Sequence, residues 1–164
     1  MPPSNFLVSP RTLVFVSHQA KTLFIRRSPQ KRLWPNRYNG LGGFVQPGET
    51  LLEAAQRELL EESGIAAPVQ LRGLLSIAEK QPTHPVLVAL FTAQVAQPDV
   101  IASDEGSLHW LDWRTLPEDQ LVPDLPRLLT YLENQGPAEA KVVFFARYWY
   151  DQSNQLQITF NPSH

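Results

Sequence analysis

The sequence predicts a single-domain α/β fold, and three observations carry that reading. At 164 residues the chain is long enough for one domain with its own core and too short for two comfortable ones. Short runs rich in β-branched and aromatic residues recur along it, while two segments carry apolar residues at helical spacing. With 43% hydrophobic and 18% charged residues, the composition is that of an ordinary globular chain. Residues 1–164 are therefore expected to form one domain, with the core spanning about 12–160.

In chain order, 12–17 and 22–26 are β-rich runs around the polar 18–21, and they predict a hairpin. A basic loop follows, carrying Arg26, Arg27, Lys31, Arg32 and Arg37 with Trp34 and Pro35 interleaved. Arg pairs with phosphate oxygens through two parallel hydrogen bonds, so this loop suits a phosphorylated ligand; a solvated charge run is the plainer alternative. Residues 38–43 read Tyr-Asn-Gly-Leu-Gly-Gly. Asn39 offers a donor and an acceptor to a base edge, and a tight turn would explain it equally well.

Gln46-Pro47-Gly48 is a turn, since Pro presets its first central φ and Gly takes the positive φ of the second. Thr50 and Glu53 then make a capping box, and Gly64 suits the left-handed position past the end of a helix over Leu51–Ser63. Leu52, Ala55 and Leu59 form its expected apolar stripe. Strands are expected over 71–80 and 85–95, the second so continuously apolar that it should be central. Ser103-Asp104-Glu105 precedes a short strand at His109-Trp110-Leu111. Leu125, Leu128, Leu129 and Leu132 repeat at helical spacing behind an N-cap at Asp124, with Gly136-Pro137 as the stop. A terminal hairpin of 141–150 and 156–160 has aromatics alternating across its faces, and core packing is their expected role.

The chemistry concentrates in Gly43 to Ile65, GFVQPGETLLEAAQRELLEESGI. Glu58, Glu61 and Glu62 stand at i, i+3 and i+4 and project from one helix face. Such like-charge pairs oppose a helix by roughly 0.2–0.5 kcal/mol each, so three together need a reason. A divalent cation supplies one, because hard ions take carboxylate oxygens and Mg²⁺ shares them with substrate phosphates. A merely solvated acidic face leaves Glu49, Arg57 and the glycines at fixed offsets unexplained.

That stretch resembles the signature of the Nudix hydrolases, which cleave nucleoside diphosphates linked to another group. The resemblance implies an α/β/α sandwich around a mixed sheet, with the Leu51–Ser63 helix presenting metal ligands. By position, Glu58, Glu61 and Glu62 take the metal-binding and base-assisting roles, Arg57 orients a carboxylate, Gly43 offers its backbone to metal or phosphate, and Glu49 is supportive. Outside the motif, Asn39, Ser103-Asp104-Glu105 before a Trp strand, Asp124 opening a Leu-rich helix and the aromatic hairpin resemble the subgroup that hydrolyses oxidised purine nucleoside triphosphates. There the Asn and two consecutive acidic residues read the base. Asn39 and Asp124 match, whereas Leu125 stands where the second acid would be and Val122 where a stacking Trp would be. Trp34 is then either a substitute stacking platform or a structural residue.

The expected activity is Mg²⁺-dependent hydrolysis, with Mn²⁺ able to substitute, of a nucleoside triphosphate such as 8-oxo-dGTP to monophosphate and pyrophosphate. Glu105 is a further candidate metal ligand, with a polar loop as the alternative; Glu61 or Glu105 would be the general base, and Arg26 and Arg27 would steady the outer phosphates. Other nucleotides (ADP-ribose, a nucleotide sugar, an RNA 5′-end) and a non-catalytic nucleotide-binding module are the alternatives. Having no cysteine excludes disulfides, thiolate metal sites and Cys nucleophiles. His18, His84 and His109 read as surface or sheet-end residues and His164 as the terminus. A net charge of −2 argues against stable nucleic-acid binding. With neither a signal-like start nor a long apolar run, the expectation is a cytoplasmic monomer or homodimer acting on a small nucleotide, with no membrane contact.

Overall fold

The computed structural model describes residues 7–78, 84–101, 103–136 and 142–162. The opening hairpin forms as expected, from β1 (Ser9–His18) and β2 (Lys21–Arg27), turning through Gln19 at a φ of 54°. After the two-residue β3 (Tyr38–Asn39) come α1 (Leu51–Ser63), β4 (Gln70–Ile77), β5 (Val86–Gln94) and β6 (Gly106–Leu111). Two single 3₁₀ turns lead into α2 (Leu125–Asn134), and β7 (Phe144–Tyr150) with β8 (Leu156–Pro162) closes the chain. Residues 79–80 of one expected strand, Lys141 of another, Pro137 as a helix stop and His164 lie outside the described residues.

The strands make one mixed sheet in the order β3-β2-β1-β5-β4-β7-β8, with β6 paired to the other side of β2. The pairs β1–β5 and β4–β7 are parallel and the rest antiparallel. β5 sits in the middle, which explains its unbroken apolar run: both faces of a central strand are covered. Ala89, Phe91 and Ala93 point to one side with Val14, Val16 and Leu23, and there Ala55 and Leu59 of α1 pack. Val88 and Leu90 point to the other with Phe15 and Phe24, under Leu125, Leu128, Leu129 and Leu132 of α2. The result is helix, sheet, helix, with each helix held by its own core.

Two details correct the sequence reading. Leu52 is not part of the buried stripe of α1 but is 46% exposed; it shares the helix face of the buried Leu59 and Ser63, so its place in the first turn, not its direction, leaves it uncovered, while Ala54 is buried along with Ala55. Asp124 holds the N-cap position of α2 but makes no side-chain cap: its backbone is already helical (φ −85°, ψ −21°), which turns the carboxyl away from the first free N–H groups.

At the start of α1, by contrast, the capping box is complete, with Glu53 N donating to Thr50 Oγ1 at 3.2 Å and Thr50 N to Glu53 Oε2 at 2.8 Å. Gly64 ends the helix at φ 72°. Thr50→Ala should cost about 1 kcal/mol of stability, seen as a lower urea midpoint at unchanged slope; an unaltered midpoint would show that the cap carries no weight here.

Candidate active site

β1 and β2 pair only at their hairpin end, from Val16 opposite Leu23 to His18 opposite Lys21. Beyond Val16 they separate, and residues 38–45 wedge between them. Tyr38 and Asn39 pair with β2, Leu41 exchanges hydrogen bonds with Val14, and Gly43 O accepts from Thr12 N at 2.9 Å. Glycine is required at this wedge. Gly42 sits at φ 130°, where a Cβ would lie 2.3 Å from Thr12 O, and a Cβ on Gly43 would lie 2.5 Å from Glu58 Oε1. The backbone at the split is thus pressed directly against the acidic face of α1.

A cleft opens beside the wedge in two compartments that share Arg11, Arg27, Asn39, Gly40 and Gly42 as common wall. The larger, about 580 Å³, is lined by Gly43, Arg57, Glu58, Glu61, Glu62, Lys31 and Glu105. All the residues assigned to metal or base roles at the sequence level therefore border one space. The Arg57 guanidinium organises them, donating to both oxygens of Glu49 (2.6 and 3.0 Å), to Glu58 Oε1 (2.8 Å), to Glu61 Oε2 (3.0 Å) and to Phe44 O (3.1 Å). Those contacts lower the pKa of Glu49 and raise that of Arg57, which stays cationic throughout. Glu62 is different. It is 7% exposed, its Oε2 accepts from Gly42 N at 2.7 Å, and burial, opposed by that bond and reinforced by Glu58 and Glu105, pushes its carboxyl up to about 7.

This donor set could hold a hard divalent cation: carboxylates of Glu58, Glu61, Glu62 and Glu105 and the carbonyl of Gly43, around a cradle that any Cβ at position 43 would fill. Among the described residues, however, no three acidic or histidine side chains are gathered on one point. Arg57 holds Glu58 and Glu61 along the helix, and Lys31 is ion-paired with Glu105 across the compartment.

The second compartment, about 250 Å³, is walled by apolar side chains, among them Leu13, Leu75, Val88 and Val122. Asn39 and Asp124 line it, as does Trp34 at its mouth, 40% exposed and at a φ of 53°. Val122 does face this space, and Leu125 is buried in the core beneath α2, so neither supplies a polar group. Asn39 Oδ1 accepts from Gly40 N at 2.9 Å. Burial raises the Asp124 carboxyl to about 6, partly offset by its own backbone N–H and by the Tyr148 hydroxyl nearby.

Among the expected residues Arg26 is set apart. Arg26 is exposed, donates from Nε to Asn36 O at 3.3 Å and lines neither compartment, because strand alternation sends it to the side opposite Ile25 and Arg27. Two lining residues had escaped sequence reasoning. Arg11, its guanidinium 4.0 Å over the Phe44 ring, borders both compartments, and Tyr148 forms part of the apolar one. Arg11 opens an apolar run and Tyr148 alternates with Phe144 and Ala146, so in sequence the two read as a strand start and as core.

The sequence model of the NUDIX domain matches residues 8–132. The oxidized purine nucleoside triphosphate hydrolase of Danio rerio is 32% identical over 114 residues, 69% of this chain and 72% of that protein. The NAD-capped RNA hydrolase NudC of Chromobacterium violaceum is 34% identical over 113 residues, 67% of this chain but only 40% of that protein. In three dimensions the MutT mutator protein of Bacillus halodurans superposes with a TM-score of 0.74 at 19% identity, over 96% of this chain and 100% of that one.

The raised Asp124 carboxyl makes stability fall as pH rises, since between about 4 and 6 the unfolded chain has lost the proton that the native one keeps. Above pH 6 the loss is complete, and at about 1.4 kcal/mol per pKa unit it amounts to at most about 3 kcal/mol. Asp124→Asn should therefore gain on the parent chain across this window and hold that gain above it. Parallel stability–pH curves from urea titration would contradict the placement of this carboxyl.

Proposed function

The chain belongs to the NUDIX family and is a hydrolase, and from that premise we propose that it cleaves nucleoside triphosphates carrying an oxidised purine to the monophosphate and pyrophosphate. One observation carries the reading: an apolar compartment with a few polar groups and a carboxylate-lined compartment share a wall bearing Arg11 and Arg27. A base in the first and phosphates in the second would place those two guanidinium groups along the phosphate chain between them. In this assignment Arg11 takes the part that sequence reasoning gave to Arg26. Asn39 and Asp124 contact the base, and Trp34 covers it from the mouth of the cleft.

Glu58, Glu61, Glu62 and Glu105, with the Gly43 carbonyl, would hold Mg²⁺ or Mn²⁺. When bound, such an ion neutralises phosphate charge and makes a coordinated water more acidic. Arg57 fixes the orientation of Glu58 and Glu61, so that neither carboxylate must be ordered at the moment of reaction. Glu61, 58% exposed and facing the compartment, is positioned to accept the proton of the attacking water, and Glu105 is its alternative. Lys31 would exchange its pairing with Glu105 for a phosphate oxygen. No side chain need attack phosphorus, because positioning and charge stabilisation suffice for this chemistry.

A second reading, hydrolysis of a dinucleotide pyrophosphate, has one observation in its favour. Phe44 borders the carboxylate compartment and is 57% exposed, which offers a second ring a stacking face.

The test is product formation with Mg²⁺ from 8-oxo-dGTP, 2-oxo-dATP, dGTP, dCTP, ADP-ribose, NAD⁺ and a triphosphorylated RNA, compared by kcat/KM. An oxidised purine triphosphate should lead, chelation should abolish turnover, and Glu61→Gln should lower kcat by about 10²–10⁴ without lowering Tm. Leadership by NAD⁺ would favour the second reading, and leadership by ADP-ribose or RNA would refute both.

A further inference from the structure

The apolar compartment contains a buried phenol that the function above leaves unused. Tyr148 is 2% exposed, lines the compartment, and its hydroxyl has no hydrogen-bond partner. A buried hydroxyl with nothing to bond is costly, so its presence in this wall, beside Leu75, Ile77 and Val88, asks what satisfies it. The neighbouring Asp124 carboxyl is near enough to feel it, yet the contact falls short of a formed hydrogen bond. Burial first, then the negative charge of Asp124, raises the pKa of Tyr148, so the phenol keeps its proton and can donate. Its strand partners, Ile77 and Ile158, offer no competing side-chain acceptor.

Resting on the reading of this compartment as the base site, we propose that Tyr148 is a specificity-determining residue: its hydroxyl donates to an exocyclic ring oxygen while Asp124 accepts from the adjacent ring N–H. The pair therefore selects rings with an –NH–C(=O)– edge. The order of depth sets the sense. Tyr148 lies deeper than the half-buried Asp124, and an exocyclic group reaches further into the compartment than the ring nitrogen beside it. An exocyclic amine at that depth could meet the phenol only as a donor to its oxygen, leaving the O–H without an acceptor on the ring, while the ring nitrogen would bring a lone pair against the ionised carboxylate. The second contact is repulsive, and the edge as a whole is disfavoured.

Inosine 5′-monophosphate and adenosine 5′-monophosphate differ at this edge and share everything else, which makes them the probes. Isothermal titration should show the inosine nucleotide bound at least about tenfold more tightly by the parent chain, the scale of one buried hydrogen bond. Tyr148→Phe should bring the two affinities to within about threefold, with unchanged Tm, whereas a purely structural Tyr148 would lower Tm and weaken both equally. Equal binding by the parent chain, tighter adenosine binding, no binding of either, or a preference that survives in Tyr148→Phe would each overturn the proposal. The parent-chain comparison stands even should the variant fail to fold. Selective inosine binding without triphosphate hydrolysis would refute the proposed activity and leave the role of Tyr148 intact.

Discussion

Everything at the site depends on how closely two backbones and one helix face can approach at Gly42 and Gly43. Because neither residue has a Cβ, the wedge can hydrogen-bond to β1 while the Glu58 carboxylate rests against it. That contact fixes α1 over the split in the sheet and determines where Glu61 and Glu62 stand. It also gives the cleft its two-part form, since the same wedge is the wall between the compartments. A methyl group at either position would have to displace a strand backbone or the acidic face of the helix.

The second constraint is electrostatic. Three carboxylates on one helix face repel, and one of them, Glu62, is also desolvated. The chain tolerates this through one guanidinium and one amide: Arg57 binds Glu49, Glu58 and Glu61 together, and the Gly42 N–H meets Glu62. For Glu62 the compensation is partial, since burial outweighs the Gly42 bond and keeps its carboxyl elevated. The arrangement thus holds several carboxylates close together in fixed geometry, a grouping that a divalent cation would stabilise more fully than any single side chain could. Glu49, outside the cleft wall, serves as the anchor that keeps Arg57 in place.

Much of this was legible in the sequence where local rules act alone. The turn at Gln46-Pro47-Gly48, the Thr50–Glu53 box, the Gly64 cap and the central position of β5 follow from turn chemistry, capping and patterning, none of which needs tertiary context. Errors arose where one local signal has two tertiary outcomes. Leu52 fits an apolar stripe as well as Ala54 does, and only the position of the sheet decides between them. Asp124 has the right residue type and position for a cap, but its conformation presents the carboxyl to the cleft instead. Arg26 and Arg27 are adjacent, and strand alternation alone separates the one that lines the cleft from the one that does not.

Tyr148 shows why chemistry on a sheet is harder to read than chemistry on a helix. Along β7, Phe144, Ala146 and Tyr148 face the same way, and the first two are ordinary core beneath α2. Tyr148 belongs to the same buried cluster, but it also borders the cleft, and its hydroxyl neighbours Asp124 just ahead of the helix. Alternation therefore predicts which face a residue takes but not which member of the series borders a cleft. Positions 122 and 125 are apolar here, and a polar group supplied by the C-terminal hairpin would be a physically separate way to read the edge of a base.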